Sequence, residues 1–214
     1  EVRKNLITLW NTYSFFTTYA ILDNFNPNEN NFNKDNLNEL DNWILAKTNN
    51  FIKIAESNYE NYEVFRLMKT SSELLDDISN WYVRRNRRRF WRSENDNDKM
   101  AAYSTLYNVL ITYIKILAPI IPFITEKIYT NLVYNIDKSQ PKSIHLTDFP
   151  AYDPKLENDK LVNEIDAIKN IVSLGRSARN KVNIKIRQPL SEVLIYTNEK
   201  NLLKYKNQIL DELN

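Results

Sequence analysis

Apolar residues recur at three- and four-residue spacing along most of this chain, and this periodicity restricts the fold more than any other feature of the sequence. The longest stripe consists of Val64, Leu67, Met68, Ser71, Leu74, Leu75 and Ile78. This spacing places the seven residues on one face of a helix that packs against a core.

The same helix is predicted to continue into a segment, 79–92, in which six arginines are interleaved with aromatic residues. At about 100° per residue, the centre of the stripe meets Tyr82, Arg85, Arg89 and Arg92, with Trp81 and Arg88 at its edge and Arg84, Arg87 and Trp91 further round. Desolvating an uncompensated guanidinium costs several kcal/mol or more. Arg85 and Arg89 are therefore expected to meet a carboxylate, a phosphate or a wet groove.

Similar patterns predict the other helices. The first two are expected at about 2–22 and 41–58, followed by the long helix that ends in the arginines. A fourth helix is expected after the capping residues of 93–98, and a fifth, which follows a bend at Pro119 and Pro122, is expected to end near 134. The last two are expected at about 155–180 and 202–213. Two strands are expected at 183–187 and 192–196. The predicted fold is thus mostly α, an antiparallel helix bundle over 1–150 with a small C-terminal α+β extension over 151–214.

The composition excludes several kinds of site. The sequence contains no cysteine, one histidine (His145) and one glycine (Gly175), which excludes disulfides, Cys- or His-rich metal sites and Gly-rich phosphate loops. No catalytic constellation is evident. No apolar run is long enough to span a bilayer and no leader is recognisable, so a soluble, cytoplasmic protein is expected. This part of it is expected to be a monomer. The asparagine-rich stretch 23–33 is typical of a solvated loop.

The arginine segment has two interpretations. A charge run is usually a solvated helix face. Arginine, however, also neutralises phosphates and stacks on bases, and tryptophan and tyrosine offer platforms for unpaired bases. A second basic stretch comprises Arg176, Arg179, Lys181, Lys185 and Arg187. Since the net charge is only +2, two local basic surfaces favour an extended polyanion such as RNA.

Several motifs resemble those of a known family. Residues 80–91, Asn-Trp-Tyr-Val-Arg-Arg-Asn-Arg-Arg-Arg-Phe-Trp, are similar to the signature segment of the anticodon-binding domain of isoleucyl-tRNA synthetases. Residues 117–129 resemble the helix-bend-helix shared by the class I synthetases for isoleucine, valine and leucine, and 144–150 the segment that follows it. Residues 178–190 resemble the isoleucine enzymes in particular.

This resemblance implies recognition of the tRNA(Ile) anticodon stem-loop by a non-catalytic part of an isoleucine-tRNA ligase. The parent would use ATP and Mg²⁺ in a catalytic domain of the same polypeptide, while this part would hold no cofactor. The expected RNA-binding residues are Trp81, Arg84, Arg85, Arg87, Arg88, Arg89, Trp91, Arg179, Lys181 and Lys185.

Two alternatives stay open at this point. One is the equivalent domain of a valyl-tRNA synthetase. The other is a structural bundle whose arginines pair with acidic residues of the missing catalytic domain.

Overall fold

The structure is a computed structural model that describes residues 2–28, 36–91, 97–197 and 200–214. The predicted loop at 29–33, the predicted helix stop at 93–96 and Arg92 lie outside the described residues. The helices are α1 (Val2–Leu22), α2 (Glu39–Glu60), α3 (Val64–Asp76), a π-helical segment (Asp77–Val83), α4 (Arg84–Trp91), α5 (Asn97–Leu117), α6 (Pro122–Tyr129) with a π-helical turn (Thr130–Tyr134), α7 (Asp159–Lys181) and α8 (Lys206–Leu213). The mostly α fold is confirmed.

Helix α5 is the central helix of the bundle. It packs against α1, α2, α4 and α6, and its buried residues lie on nearly every side, among them Tyr103, Leu106, Leu110 and Ile114. A helix that is apolar on most of its surface must be surrounded by others. Helices α1, α2 and α3 each bury one face, as their amphipathic patterns predict.

The bend between α5 and α6 lies where the two prolines predict it. Ile121, which precedes Pro122, has φ −125° and ψ 61°, outside the helical region, and Pro122 occupies the first turn of α6. A proline disfavours helical geometry in the preceding residue but is well tolerated at the start of a helix. The prolines therefore end α5 and begin α6.

Polar contacts show which helix ends meet at the arginine end of the bundle. Asp23, just after α1, forms an ion pair of 2.5 Å with the buried amine of Lys99 at the start of α5, and it accepts a hydrogen bond from Tyr103. Arg89 near the end of α4 contacts Asp41 at the start of α2. One end of the bundle thus joins the end of α1, the start of α2, the end of α4 and the start of α5.

By compactness the chain divides into a first unit, Glu1–Glu157, and a second unit, Asn158–Asn214. The second unit contains α7 and α8, which pack closely at Gly175. A Cβ on Gly175 would lie 2.7 Å from both terminal carbons of Leu213. The single glycine of the chain therefore permits the close approach of these helices. The domain division after residue 150 stays a prediction.

The two predicted strands are not present among the described residues. Residues 183–187 form turns, and 192–196 are extended without a ladder partner in the described part of the chain. In the first segment the Lys185 carbonyl oxygen is bonded to a side chain and not to a neighbouring strand, since the Arg179 guanidinium donates to it at 3.1 Å, and to the Gln188 carbonyl oxygen at 2.8 Å. The α+β extension is thus helical with irregular segments.

Within the described ranges, no helix is both long enough and apolar enough to cross a bilayer.

Candidate nucleic-acid interface

The π-helical segment sets which face of α4 points into the bundle. A π turn holds one residue more than an α turn, so it rotates the downstream helix by about one residue relative to a continuous α-helix. Downstream of the segment, Asn86, Arg89 and Phe90 are buried, whereas Arg85 is partly exposed and Arg88 exposed. The inward position predicted for Arg85 is therefore taken by Asn86, while the inward position of Arg89 is confirmed.

Arg89 lies at the centre of a buried polar network. Its Nη1 and Nη2 atoms donate to Oδ1 and Oδ2 of Asp41, each at 2.8 Å, in a bidentate pair. Nη1 also donates to Oδ1 of Asn86 at 3.1 Å, and Nη2 reaches the backbone oxygen and Oδ1 of Asp98, both at 2.8 Å. Bidentate pairs of this kind fix geometry as well as charge. The network therefore locks α4 to the starts of α2 and α5.

Asp41 is held in position by the start of its own helix. Asn38 and Asp41 form a capping box, in which the Asp41 N–H donates to the side chain of Asn38 at 2.8 Å and the Asn38 N–H donates to the Asp41 carboxylate at 3.0 Å. The Tyr82 hydroxyl donates to the same carboxylate at 2.5 Å. Each oxygen of the fully buried Asp41 is thus satisfied by donors, as a buried charge requires.

Protonation in this network follows from burial and charge. Burial alone would lower the pKa of Arg89, but the hydrogen bonds and charge of Asp41 outweigh it and raise that pKa above its ordinary value. Burial raises the pKa of Tyr82 well above its usual range, and the Asp41 carboxylate raises it further. Tyr82 therefore remains a donor, and Arg89 remains charged but neutralised by Asp41 and Asp98.

The other arginines of α4 differ from Arg89 in exposure. Arg84, Arg87 and Arg88 are exposed. Neither Arg87 nor Arg88 forms an ion pair with any residue in the described ranges. The Arg84 Nε donates to the Asn80 carbonyl at 2.8 Å. This row of cations on the outer face of α4 is hereafter called the α4 arginine face, defined as Arg84, Arg87 and Arg88.

The two tryptophans beside this face have different surroundings. Trp81 is only 6% exposed, and the guanidinium carbons of Arg84 and Arg85 lie 6.0 and 5.3 Å from its ring centre. It therefore supports the arginines through cation–π contact instead of presenting its ring to a ligand. Trp91 is 55% exposed at the end of α4. Its ring is accessible for stacking.

In the second unit, Arg179 is buried and has a structural environment. Besides Lys185 and Gln188, it donates to the carbonyl oxygens of Leu213 and Asn214 at 2.6 and 2.8 Å. A cation at the C-terminal end of a helix stabilises the last carbonyls. Arg179 therefore ties the end of α7, the following turns and the end of α8 together.

The other cations of the second basic stretch are arranged differently. Arg176 pairs with Glu212 at 2.5 Å. Lys181, Lys185 and Arg187 are exposed. These three residues are the accessible part of the predicted second basic surface.

Asp41, the partner of Arg89, was not predicted from the sequence. The capping signal of Asn38 and Asp41 is visible in the sequence, and it places the carboxylate in the first turn of α2. Nothing local, however, connects Asp41 with an arginine 48 positions later. That pairing depends on how α2 and α4 pack.

No catalytic arrangement emerges among the described residues. His145 is exposed, and no three His, Asp or Glu side chains of the described ranges are grouped so that they could hold a metal ion. What the arrangement offers chemically is positive charge and an accessible aromatic ring on a rigid helix, which suits binding to phosphates and bases.

Comparison with known proteins gives concordant results. Residues 41–195 match the family described as the anticodon-binding domain of tRNA ligases. The chain is 49% identical to an isoleucine–tRNA ligase of Clostridium novyi over 98% of its own length and 20% of the relative's. It is 44% identical to one of Dehalococcoides mccartyi, over 99% of this chain and 21% of the relative. For that of Clostridium tetani the identity is 49%, with 99% and 20% covered. The chain thus spans about a fifth of the length of these relatives.

Proposed function

Because the chain belongs to the family of anticodon-binding domains of tRNA ligases, we propose that it binds the anticodon stem-loop of an isoleucine tRNA, as one part of a longer isoleucine–tRNA ligase. The isoleucine assignment is supported by the names of the relatives, which are 44–49% identical to this chain over the aligned fifth of their length.

The α4 arginine face is the observation that carries this proposal. Its three guanidinium groups are exposed on one short helix, and the Asp41–Arg89 pair holds that helix rigidly. Positioned cations of this kind contact phosphates, while an accessible ring such as Trp91 stacks on an unpaired base. We assign Arg84, Arg87, Arg88 and Trp91 to RNA contact, and Arg85 and Trp81 to support at the edge of that face.

The residues of the predicted RNA site therefore divide by role. Arg89 and Arg179 are buried, and their terminal nitrogens donate to oxygens inside the protein, so we assign them to positioning other groups. Lys181 and Lys185, exposed in the second unit, are proposed to contact the RNA backbone at a second place. Two basic surfaces suit an extended polyanion.

The chemistry of ligation is assigned to the remainder of the longer polypeptide. Activation of isoleucine with ATP and Mg²⁺ would take place in a catalytic domain of that polypeptide, because this sequence contains neither a Gly-rich phosphate loop nor a His-rich signature. The ligase would act in the cytoplasm, and this part would be a monomer.

The experiment measures the affinity of the protein for a tRNA(Ile) anticodon stem-loop after single substitutions. We expect Arg87→Gln and Arg88→Gln each to weaken binding roughly fivefold, equivalent to about 1 kcal/mol for an exposed charge contact. Trp91→Ala should cost roughly 1–3 kcal/mol if a base stacks on the ring.

Arg66→Gln is the matched control. Arg66 lies near the start of α3, at the far end of the same continuous helical segment. It pairs with Glu63, and the side chains of Arg66 and Glu63 are 73% and 40% exposed. It should leave binding unchanged. Equal affinity of the α4 variants and the wild type, with the fold intact, would exclude the α4 arginine face as the RNA site.

Competition between tRNA stem-loops distinguishes the isoleucyl assignment from the valyl alternative. A stem-loop from tRNA(Val) should compete more weakly than one from tRNA(Ile), and the reverse order would assign the domain to a valyl enzyme. The purely structural alternative is favoured by one observation, the pairing of Arg89 with Asp41 and Asp98 within this chain. It predicts that no α4 variant changes RNA affinity.

A further inference from the structure

Residues 192–196 of the second unit have the properties of a strand without a sheet. The segment Glu-Val-Leu-Ile-Tyr is extended and rich in residues that favour strands. Its exposure alternates, since Val193 and Ile195 are each 40% exposed while Leu194 and Tyr196 are 87% and 99% exposed. This is the two-residue period of a strand.

The backbone of this segment is unsatisfied within the described part of the chain. No described residue forms a backbone hydrogen bond with 192–196. A row of unpaired N–H and C=O groups beside apolar side chains is the template to which another strand adds. The segment therefore has both the backbone and the side chains that strand addition needs.

An apolar groove lies beside the segment. Its cavity of about 370 Å³ is lined by Val182, Ile184, Leu190, Val193, Leu210 and Leu213, among others. Val193 lines this groove, whereas Leu194 and Tyr196 are not among its lining residues and are exposed. Apolar residues on both faces are typical of a strand that is covered on two sides.

The position of Asn214 identifies what would pair with this strand. The Leu190 N–H donates to the Asn214 carbonyl at 3.2 Å, and the Asn214 side-chain amide donates to the Ile186 carbonyl at 3.1 Å. Any polypeptide following Asn214 therefore starts next to the chain that leads into 192–196. Connections between neighbouring elements are usually only about 2–6 residues long. The relatives are about five times as long as this chain.

We infer that residues 192–196 form a β-strand in the complete protein, paired with a strand from the polypeptide that directly follows Asn214, and that this pairing covers Leu194 and Tyr196. The inference rests on the proposal that the chain is part of a longer ligase. It would convert the second unit into a helix-and-sheet structure, in which the strand at 192–196 exists only when the pairing segment is present.

The test places a photo-reactive residue in the full-length protein by Tyr196→p-benzoylphenylalanine, a change that keeps an aromatic ring at a position with 99% exposure. Irradiation followed by mass spectrometry should give a cross-link to a peptide that begins within roughly ten residues after Asn214. A cross-link only to another region of the polypeptide, or to a second molecule, would overturn the choice of partner.

Amide exchange in the full-length protein tests the strand itself. Protected amides of 193–196 should exchange at least tenfold more slowly than those of a freely exposed chain. The slow exchange should be found at every second position if the segment is an edge strand, and at all positions if it is a central strand. Exchange at the unprotected rate would overturn the inference.

Proline substitutions provide an independent readout. Val193→Pro with Ile195→Pro, and separately Leu194→Pro with Tyr196→Pro, each remove N–H donors that point to one edge of the strand. At least one pair should lower the Tm, whereas an unchanged Tm in both would contradict a paired strand.

Charging of tRNA with isoleucine by the full-length protein reports on the proposed function separately. The proposed function and the strand pairing can therefore fail independently.

Discussion

At the scale of single residues, two arginines of the predicted RNA site are buried and bonded within the protein. Arg89 is paired with Asp41 and Asp98, and Arg179 donates to four backbone carbonyls. The terminal nitrogens of both guanidinium groups donate to protein oxygens, and both side chains are buried, so neither presents these donors to a phosphate in solvent. Exposure therefore separates the arginines that position the surface from those that form it.

This division gives a stability prediction for Arg89. Arg89→Met should lower the free energy of unfolding by roughly 3–5 kcal/mol, because it leaves the Asp41 carboxylate buried without its partner. Urea unfolding monitored by circular dichroism measures the change.

Two variants serve as controls for Arg89. Arg87→Met, on the exposed face of the same helix, should change stability by no more than about 0.5 kcal/mol. The double variant Asp41→Leu with Arg89→Met should recover part of the loss, since no unpaired charge is left. A single Arg89→Met loss no larger than that of Arg87→Met would contradict the role of the pair.

At the scale of helices, two features orient the α4 arginine face. The π-helical segment Asp77–Val83 rotates α4 so that Asn86 and not Arg85 points inward. The capping box of α2 then fixes Asp41 where Arg89 can reach it. The start of one helix thus determines the orientation of another that follows it by more than 40 residues.

The capping box gives a prediction at this scale. Asn38→Ala should destabilise the protein by about 1 kcal/mol, because the N–H of Asp41 loses its acceptor. Asn38→Ser, which keeps an acceptor oxygen, should cost only a small part of that. Thermal unfolding of both variants gives the comparison.

Asn61→Ala is the control at the other end of α2, where the side chain makes only an exposed bond to the Ser57 carbonyl. If the serine and alanine variants at position 38 were equally destabilised, the side-chain cap would not be the cause.

At the scale of the whole molecule, RNA binding has to come from local charge. A net charge of +2 gives little general attraction for RNA, whereas cations gathered on α4 and on the segment after α7 give two local fields. Affinity should therefore depend steeply on salt although the protein is nearly neutral.

The salt dependence can be predicted for the wild type and for a variant. The logarithm of the binding constant should fall linearly with the logarithm of salt concentration, by roughly 0.7–0.9 per phosphate contact. Arg87→Gln with Arg88→Gln should flatten this slope by about 1.4–1.8, as expected for two lost contacts. A slope identical to that of the wild type at reduced affinity would mean that these arginines act through something other than phosphates.

The sequence by itself determined the helical fold of this protein and the composition of its basic surface. Helical periodicity, capping residues and prolines are local signals, so the helices, the bend before Pro122 and the inward position of Arg89 could be predicted. The motif at 80–91 likewise indicated the family.

Only the tertiary structure decided which arginines face outward and whether the predicted strands form. Asp41 meets Arg89 through packing of distant helices, and the π-helical segment shifts the register by one residue, which no local period reveals. The strand-like pattern at 192–196 was recognisable in the sequence, but a strand needs a partner for its backbone groups. Helices satisfy their own hydrogen bonds locally, whereas ion pairs and strands depend on residues elsewhere, and that physical difference divides what could be predicted from what could not.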